Sequence, residues 1–493
     1  MIAGLKPYPA YKDSGVEWLA QVPEHWEMMP IGRMGQLFKG NGGNKGDEVP
    51  AGVPCVRYGD LYTRHEFFIR STKAYVSEER AADYTSIRYG DILFAASGET
   101  IEDIGRSSVN LIETDACCGG DMLVLRPKMD AVSEFLGYAS DSATSRHQKA
   151  CMGRGFTVVH IYGSQLKILA LPISPLPEQA AIVRFLDYVD RRIRRYIRAK
   201  KKLIKLLEEQ KQAIIHQAVT GQINVRTGKP YGTYKPSGVE WLGDVPEHWE
   251  VRRAKAVCSA VVDCKNRTPD EFDSGEYTVV RTTCIRDGQF DETGGYKTDE
   301  KNYRVWTARG APRSGDVFFT REAPAGEACL VPDRSDLCMG QRMMYLRPDP
   351  NVLDAKFLLL NVYGPLTSTY LELATNGSTV GHLRLGQVDA LPIMWCPLDE
   401  QREIVAIVDE ATREIDETVA DARMEISLIE EYRTRLIADV VTGKLDVREA
   451  AASLPDEPEE SDATEDLDEF LSADYQADDG DDHHDSEEHD DDQ

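Results

Sequence analysis

Two long stretches of the chain place apolar residues at alternating spacings of four and three positions, the pattern of a helix with one apolar seam. The first stretch follows the proline-rich segment 173–177, and the second follows Pro397. Each ends at a Thr-Gly pair, and glycine is preferred just beyond a helix. The pattern predicts two rods of equal length, each roughly 60 Å at 1.5 Å per residue. The seam residues are Ile182, Leu186, Val189, Ile193, Leu203, Leu207 and Ile214 in the first rod, and Ile404, Val408, Ile415, Ile429 and Leu436 in the second.

The segments outside the rods have a different pattern, of short apolar runs bounded by turn residues. Gly-Asp pairs at 90–91 and 315–316 each precede an apolar run. Leu-Arg-Pro sequences at 125–127 and 346–348 each end one. Because Gly-Asp favours turns and Pro ends strands, these segments are predicted to form mixed α+β domains rich in short strands.

The chain carries one sequence block twice. Residues 11–27 read YKDSGVEWLAQVPEHWE, and residues 234–250 read YKPSGVEWLGDVPEHWE. Shorter paired blocks follow at offsets of 220 to 223 residues, which indicates a duplicated fold. Halves related by a pseudo-twofold axis have antiparallel long helices, and one repeated block can then meet each helix end. The predicted fold class is α+β, with two mixed α/β domains joined by two long antiparallel helices that form a coiled coil.

The two rods differ in charge. The first is rich in Arg and Lys between positions 191 and 205, and the second is rich in Asp and Glu between positions 409 and 425. Opposite charges beside two apolar seams favour pairing of the rods with each other. Two alternatives stay open, since each rod could lie on its own domain and the basic run could bind phosphate.

The 493-residue chain is 41% hydrophobic, enough for several domain cores, and has a formal net charge of -27. Residues 456–492 contain twenty Asp and Glu and no Lys or Arg. Subtracting these twenty charges leaves -7 for the remainder, so the total charge does not exclude a nucleic-acid-binding body. The polar, acidic segment 453–493 is expected to be disordered.

Ten cysteines are scattered through the chain without a C-x-x-C pair. They are expected to be reduced and mostly buried thiols of a cytosolic protein, which we favour over a structural zinc site. Residues 1–10 lack the pattern of a signal peptide, and no segment has the roughly 18 uninterrupted apolar residues of a membrane span. A cytoplasmic protein with no membrane association is expected.

The sequence contains no phosphate-binding loop, zinc-protease motif, nucleophile elbow or dinucleotide-binding glycine pattern. The glycine-rich run 39–46 is interpreted as an exposed loop rather than a nucleotide cradle, and the His-Trp pairs at 25–26 and 248–249 as packing residues. No catalytic residue and no metal ligand is assigned. The two mixed α/β domains, called heads below, differ from each other and are held apart by helices of fixed length. This arrangement suits a protein that reads two targets at a fixed separation, such as half-sites along duplex DNA.

These motifs resemble the specificity subunits of Type I restriction-modification systems. The resemblance rests on the repeated G-V-E-W-L-x-x-V-P-E-H-W block, on P-L-x-E-Q-x-x-I-V at the start of each rod and on V-T-G at its end. It covers residues from about 8 to 448 and implies that two target-recognition domains each read one half of a bipartite double-stranded DNA sequence. The rods would set the spacing and dock two methylation subunits, to which restriction subunits are added. S-adenosylmethionine, and ATP with Mg, are expected on those partners and not on this chain.

The chain is accordingly divided into five segments. They are a first target-recognition domain (1–172), a first helical spacer (173–222), a second target-recognition domain (223–395), a second helical spacer (396–448) and an acidic disordered tail (449–493). The tail departs from the family pattern. It could improve solubility, or it could compete with DNA for the two domains.

Polar residues on the loops of the two heads are the candidate DNA contacts, because Arg reads guanine, Asn or Gln reads adenine, and Lys or Ser/Thr binds phosphate. In the first head these are Lys39, Asn41, Asn44, Lys45, Arg57, Tyr58, Arg64, Arg106, Arg154 and His160. In the second head they are Lys265, Asn266, Arg267, Arg281, Arg321, Asn376, Ser378 and His382. The cluster 265–267 and the loop 376–379 are the strongest, since polar residues concentrate there.

Two other functions stay open at this level. A self-sufficient enzyme would transfer methyl groups or cleave DNA as the purified chain. A two-headed protein-binding scaffold would show no DNA sequence preference, even with a methylation subunit present.

Overall fold

The computed structural model describes residues 5–16, 18–43, 45–155, 158–265, 267–322, 324–375 and 382–455. The chain divides into two compact units, one from segments 1–195 and 429–493 and the other from segment 196–428. Each long helix therefore contributes to both units, which cut across the five segments predicted from the sequence.

The elements follow one another in two similar series. The strands of the first unit are β1 (Tyr11–Val16), β2 (Leu19–Pro23), β3 (Glu27–Pro30), β4 (Gly35–Lys39), β5 (Glu48–Val49), β6 (Val53–Val56), β7 (Phe68–Ile69), β8 (Tyr75–Val76), β9 (Thr85–Ile87), β10 (Ile92–Ala95), β11 (Ser97–Gly98), β12 (Ser107–Asn110), β13 (Ala116–Cys118), β14 (Met122–Pro127), β15 (Val159–His160) and β16 (Ala170–Ile173). The helices in this part of the chain are α1 (Ile31–Met34), α2 (Asp60–Thr63), α3 (Glu78–Ala81), α4 (Ser133–Asp141), α5 (Ala143–Met152), α6 (Gly163–Leu166) and the long α7 (Leu176–Val219).

The second series begins after α7. Its strands are β17 (Tyr234–Pro236), β18 (Asp244–Pro246), β19 (Glu250–Arg253), β20 (Cys258–Asp263), β21 (Tyr277–Val280), β22 (Ile285–Arg286), β23 (Gln289–Phe290), β24 (Tyr296–Thr298), β25 (Val317–Thr320), β26 (Ala328–Leu330), β27 (Leu337–Met339), β28 (Met343–Pro348) and β29 (Pro392–Trp395). Its helices are α8 (Ala254–Val257), α9 (Glu300–Trp306), α10 (Ala355–Val362), α11 (Pro365–Thr375), α12 (Leu385–Asp389), the long α13 (Leu398–Val441) and α14 (Arg448–Ala452), and short 3₁₀ helices lie at Lys45–Asp47, Thr282–Cys284 and Glu292–Gly294.

Two mixed sheets form the head of the first unit. One has the strand order β4-β14-β10-β12-β7 and the other β5-β8-β6-β13-β9. Side chains of a strand alternate between its two faces, so β10 contributes to two cores. Ile92 and Phe94 pack with helices α4 and α7, whereas Leu93 and Ala95 pack with residues of the second sheet.

The second unit repeats this topology. Its sheet β20-β28-β25-β26 has the order of β4-β14-β10-β12, and β24-β21-β27 has the order of β8-β6-β13. The central pairs of the smaller sheets, β6–β13 and β21–β27, are parallel in both units. The predicted fold class, a duplicated mixed α/β domain with long helices, is confirmed.

The Gly-Asp and Leu-Arg-Pro sequences form one structural device in each unit. Asp91 precedes β10 and accepts hydrogen bonds from the guanidinium of Arg126, at 2.7 Å from Nη2 and 3.0 Å from Nε. Asp316 and Arg347 pair in the same way, with both nitrogens at 2.7 Å. The carboxylate is buried in each case, so the turn and the strand end that the sequence predicted are held by a charge-assisted pair.

The long helices pack against each other antiparallel within each unit. In the second unit Lys200 pairs with Glu425 at 2.7 Å and Lys211 with Asp416 at 2.6 Å, so residue numbers rise on one helix as they fall on the other. The two helices are not simply basic and acidic partners, however, because α13 supplies the cation in other ion pairs. These are Arg423–Glu208 at 2.8 Å in the second unit and Arg433–Asp190 at 2.5 Å in the first.

Most of the predicted seam is buried. Ile182, Leu186, Ile193, Ile404, Val408, Ile415 and Leu436 are at most 9% exposed, and Val189, Leu207, Ile214 and Ile429 are half-buried. Leu203 is 39% exposed, so its assignment to the seam is wrong. A straight α-helix drifts by about 20° per heptad from a 3.5-residue repeat, and three heptads after Ile182 that drift has turned position 203 towards solvent.

A buried carboxylate joins the first repeated block to the start of α7. Glu178 accepts hydrogen bonds from the Tyr8 hydroxyl at 2.5 Å and from Trp26 Nε1 at 2.9 Å, and it lies 2.8 Å from His25 Nε2. Burial and the neighbouring carboxylate raise the pKa of Tyr8 above its ordinary value, so its hydroxyl stays a donor. The His-Trp pair is therefore structural, as the sequence interpretation held.

The second repeated block makes the same contacts with the start of α13. Glu400 accepts from Tyr231 at 2.8 Å and Trp249 at 3.2 Å, and it lies 2.9 Å from His248. The end of the other long helix lies beside the block in each unit. A Cβ added at Gly221 would lie 2.5 Å from the Pro246 ring, which also explains the glycine after that helix.

Helix α14 corrects the predicted start of the tail. Residues 449–452 were placed in the disordered segment, but they are helical, and Ala451 is buried against the core of the first unit together with Val447. Their apolar side chains pack on the core of the first unit, which the acidic composition of the tail does not predict. Residues 456–493 lie outside the described part of the chain.

All ten cysteines fall in the described residues, and eight of them are buried with none in a disulfide. Within the described ranges, no helix is both long and apolar enough to cross a membrane. In the same ranges no group of His, Cys, Asp or Glu side chains could hold a metal ion.

Replacing Glu178 with Ala is expected to destabilise the first unit strongly, because the two buried donors, Tyr8 and Trp26, lose their acceptor. We expect the free energy of unfolding to fall by roughly 3 kcal/mol in chemical denaturation. Glu400→Ala should cost less, since that carboxylate is 18% exposed against 5% for Glu178. The exposed Glu24→Ala is the control, and an equal loss for Glu24→Ala and Glu178→Ala would contradict the role of the buried carboxylate.

Candidate nucleic-acid interface

Four loops lie side by side in the first unit and are joined by backbone hydrogen bonds. Gly40 donates to the carbonyl of Met122 at 2.8 Å, Ala96 donates to that of Asp121 at 3.0 Å, and Ile161 donates to that of Ala96 at 3.0 Å. We call this surface the first loop edge. Its residues are 39–41, 96–98, 119–121 and 159–161.

The second unit builds the same surface. Cys264 donates to the carbonyl of Met343 at 3.1 Å, Arg321 donates to that of Arg342 at 2.9 Å, and Leu383 donates to that of Arg321 at 3.0 Å. The second loop edge comprises residues 263–265, 321–322, 340–342 and 382–383. Because the sheets have the same strand order, the two edges share one backbone frame.

The first loop edge brings together several predicted DNA contacts. Lys39 and Asn41 are exposed, and the Asn41 amide donates to the carbonyl of Asp83 at 3.3 Å. His160 lies 3.0 Å from the Ser97 hydroxyl and exchanges two backbone hydrogen bonds with Arg154. Lys39, Asn41, Arg154 and His160 thus lie on or beside one surface.

Arg57 and Arg281 occupy matching places, each directly after the parallel strand β6 or β21. Arg57 pairs with Glu48 at 2.8 Å, and the exposed Tyr58 follows it. Arg281 is exposed and forms no ion pair among the described residues. Gly340 donates to the carbonyl of Val280, which places Arg281 next to the second loop edge. One position therefore carries a neutralised cation in one unit and an available cation in the other.

Arg64 and Arg106 form a second group, and the Arg106 carbonyl accepts from Ala95 at 2.8 Å, next to the first loop edge. Together with Arg70, Arg191 and Arg194 they line a cavity of about 570 Å³. Arg64 pairs with Asp60 at 3.5 Å, and Arg106 with Asp103 at 3.4 Å. Burial lowers the pKa of His65 and raises that of Asp187, two further groups of this lining. The cavity thus combines arginines with three acidic side chains.

In the second unit, ionic contacts hold two of the predicted DNA contacts. Arg321 pairs with Asp263 at 2.9 Å, and His382 contacts the Glu322 carboxylate. Lys265 lies over the ring of Trp306 at 5.3 Å from its centroid. The exposed Arg267 contributes its backbone carbonyl to the Trp306 indole at 3.0 Å, which leaves its guanidinium outside that contact.

Asn44, Asn266, Asn376 and Ser378 and the side chain of Lys45 lie outside the described part of the chain. Whether any predicted residue contacts a base stays a prediction. The exposed Lys39, Arg154, Arg267 and Arg281 form no ion pair with other described residues.

Three polar residues of the loop edges were missed by the sequence reasoning. Glu322 contacts His382 and the guanidinium of Arg342, and Asp121 occupies the place of Arg342 in the first unit. A signal was present, since CCGGDM at 117–122 and CMGQRM at 338–343 share a frame and differ in charge at one position.

The comparisons with known proteins identify the family. The model of the Type I restriction modification DNA specificity domain matches residues 23–206 and 246–422, which is most of the chain. The chain belongs to this family, and its role is that of the non-catalytic DNA-specificity subunit of a Type I restriction-modification complex. That assignment favours DNA specificity over a self-sufficient enzyme and over a protein-binding scaffold.

Relatives in other organisms have the same description along much of their length. The predicted MjaX specificity subunit of a type I restriction enzyme from Methanocaldococcus jannaschii is 22% identical over 87% of this chain and 96% of its own. The type I restriction enzyme EcoKI specificity subunit of Escherichia coli is 20% identical over 61% of this chain and 62% of its own.

A solved chain from a study of complex assembly and conformational transition in the type I restriction-modification system has the same fold. Its TM-score is 0.58 at 19% identity, and the match covers 86% of this chain and 99% of that one.

Arg281→Ala is expected to weaken DNA binding more than Arg57→Ala, because Glu48 already neutralises Arg57. The slope of log affinity against log salt should fall by about 1 for Arg281→Ala and by less for Arg57→Ala. Titration of a duplex with the assembled restriction-modification complex at several salt concentrations measures both slopes. Thermal unfolding of each variant checks the fold, and a larger change for Arg57→Ala would contradict the assignment.

Proposed function

We propose that each unit reads one half of a bipartite double-stranded DNA sequence through its loop edge. The observation that carries this proposal is the pairing of one backbone frame with two different sets of side chains. Ser97 stands where Glu322 stands in the second unit, and Asp121 stands where Arg342 stands. Base edges in the major groove differ in their donors and acceptors, so two such surfaces suit two different half-sites.

The long helices act as the spacer and as the docking surface for two methylation subunits. Apolar side chains are exposed in the middle of both helices, where a soluble helix pair would be polar. Leu206 is 53% exposed on α7, and Met424 and Leu428 are 65% and 58% exposed on α13. Exposed apolar surface bounded by charges is typical of a protein interface.

The ion pairs of the second unit locate two exposed apolar patches on the helix pair. Lys200–Glu425 and Glu208–Arg423 bracket the stretch of α7 that contains Leu203 and Leu206. Met424 lies between the two paired residues of α13 and is 65% exposed, so its side chain points away from α7 and forms the second patch. The exposed Leu203, wrongly assigned to the seam, thereby finds a role at the outer surface.

The cofactors belong to the partners in this proposal. S-adenosylmethionine would be held by the methylation subunits, and ATP with Mg by restriction subunits. This chain would contribute DNA recognition and spacing. The absence of phosphate-loop and dinucleotide motifs from the sequence is consistent with that division of labour.

Exchanging residues 40–170 for the matching block of a relative should change one half of the methylated sequence and leave the other half unchanged. The physical reason is that this block carries all of the first loop edge except Lys39 and none of the second. Methylome sequencing of cells that express the exchanged chain with its methylation subunit reads out both halves. A change in both halves, or in neither, would contradict independent reading.

Leu206→Asp should weaken binding of the methylation subunit, because it puts a charge into the apolar patch of α7. We expect a loss of roughly tenfold or more in affinity by titration calorimetry. Leu373→Asp is the matched control, since Leu373 is 55% exposed on helix α11 of the same unit and not on either long helix. Equal effects of the two substitutions would remove the patch as the docking surface.

A further inference from the structure

Arg342 has an unusual backbone for its residue type. It lies in the loop between β27 and β28 with a φ of +71°, a left-handed conformation that favours glycine. Its side chain is 49% exposed at the second loop edge. A bulky residue held in a disfavoured conformation at an exposed edge points to a functional constraint.

A carboxylate holds the inner part of the Arg342 side chain. Glu322 lies 3.4 Å from Arg342 Nε and 3.6 Å from an Nη of Arg321, and it contacts His382 Nδ1. Arg321 is in turn paired with Asp263 at 2.9 Å. Glu322 is only 19% exposed, so this network places a fixed carboxylate beside Arg342 Nε and favours an outward direction of its guanidinium.

This arrangement leaves the outer edge of the guanidinium for a ligand. With Nε beside Glu322, the two terminal nitrogens of Arg342 have no ion-pair partner among the described residues and can act as parallel donors. In the major groove guanine presents two neighbouring acceptors, O6 and N7, whereas adenine presents one acceptor beside a donor. A fixed pair of donors therefore discriminates guanine from adenine.

Comparison with the first unit favours a base contact over a phosphate contact for Arg342. Asp121 has the same place in its loop, because its carbonyl accepts from Ala96 as that of Arg342 accepts from Arg321. Phosphates are alike along any DNA duplex, and an exposed aspartate would repel them. A position that is cationic in one unit and anionic in the other fits recognition of different bases.

We propose that Arg342 reads a guanine in the half-site of the second unit and that Glu322 is its positioning residue. This inference rests on the proposed function. The ligand is a guanine base in double-stranded DNA, contacted at its O6 and N7 edge.

The test uses the full chain in complex with its methylation subunit. Methylation rates are measured on a duplex panel in which each position of both half-sites is varied, and the block exchange of residues 40–170 identifies the half-site of the second unit. Arg342→Gly should reduce discrimination at one guanine of that half-site by roughly 5- to 150-fold. Glu322→Gln should weaken discrimination at the same position, and Arg342→Lys should restore it only in part.

Arg342→Gly also protects the test against a folding defect, because glycine accepts the left-handed backbone without strain. Unchanged discrimination in the first half-site shows that the variant complex is intact. Asp121→Asn is the matched control in the other unit and should alter the first half-site alone.

Three results would overturn the inference. They are a uniform loss of rate on every sequence, an unchanged preference in Arg342→Gly, and a second half-site without guanine. Failure of the proposed function is distinguishable, since the wild-type complex would then methylate no two-part sequence at all.

Discussion

The architecture of each unit depends on one multiply hydrogen-bonded carboxylate at the start of a long helix. A buried charge is costly unless its oxygens are fully hydrogen-bonded, and Glu178 obtains its donors from a block about 150 residues earlier in the chain. The next residue, Gln179, accepts from the backbone of Val132 at 2.8 Å and donates to the carbonyl of Ser174 at 2.7 Å. One Glu-Gln pair thus ties the repeated block and the head to the same helical turn. Glu400 and Gln401 repeat this in the second unit, where Gln401 accepts from Asp354 at 2.8 Å.

The residues that hold the fold together are also separate from the residues proposed to contact DNA. The Asp91–Arg126 and Asp316–Arg347 pairs lie at the ends of the central strands, and their carboxylates are buried in both units. The side chains at positions 121 and 342 lie on exposed loops between the same strands and differ in charge. Substituting exposed loop residues generally changes stability little, whereas breaking a buried charge pair is strongly destabilising. The fold can therefore carry many recognition surfaces on one framework, as a specificity subunit requires.

The sequence predicts those parts of the structure that local pattern encodes. Heptad spacing predicts α7 and α13, the repeated block predicts the duplication, and Gly-Asp turns predict strand starts, because each depends on neighbours in the chain. Leu203 was misassigned because the angular difference between a straight α-helix and a seven-residue repeat accumulates along the helix. Glu322 and Arg342 were missed because their pairing joins two loops that are separated along the chain by β26 and β27. The charge difference between Asp121 and Arg342 becomes informative only when the structures of the two units show that these residues occupy the same position.

Charge pairing at the loop edges bears on how a body with a net charge of -7 recognises DNA. Arg57 and Arg321 are already paired with Glu48 and Asp263, so they add little to the long-range attraction of phosphates. When the protein meets a DNA sequence that is not its target, no matching base contact compensates for breaking these ion pairs. A correct half-site instead supplies new acceptors in fixed geometry, which offset the lost ion pairs. Neutralised cations near the edges therefore reduce affinity for all sequences while preserving the difference between right and wrong ones, and specificity is that difference.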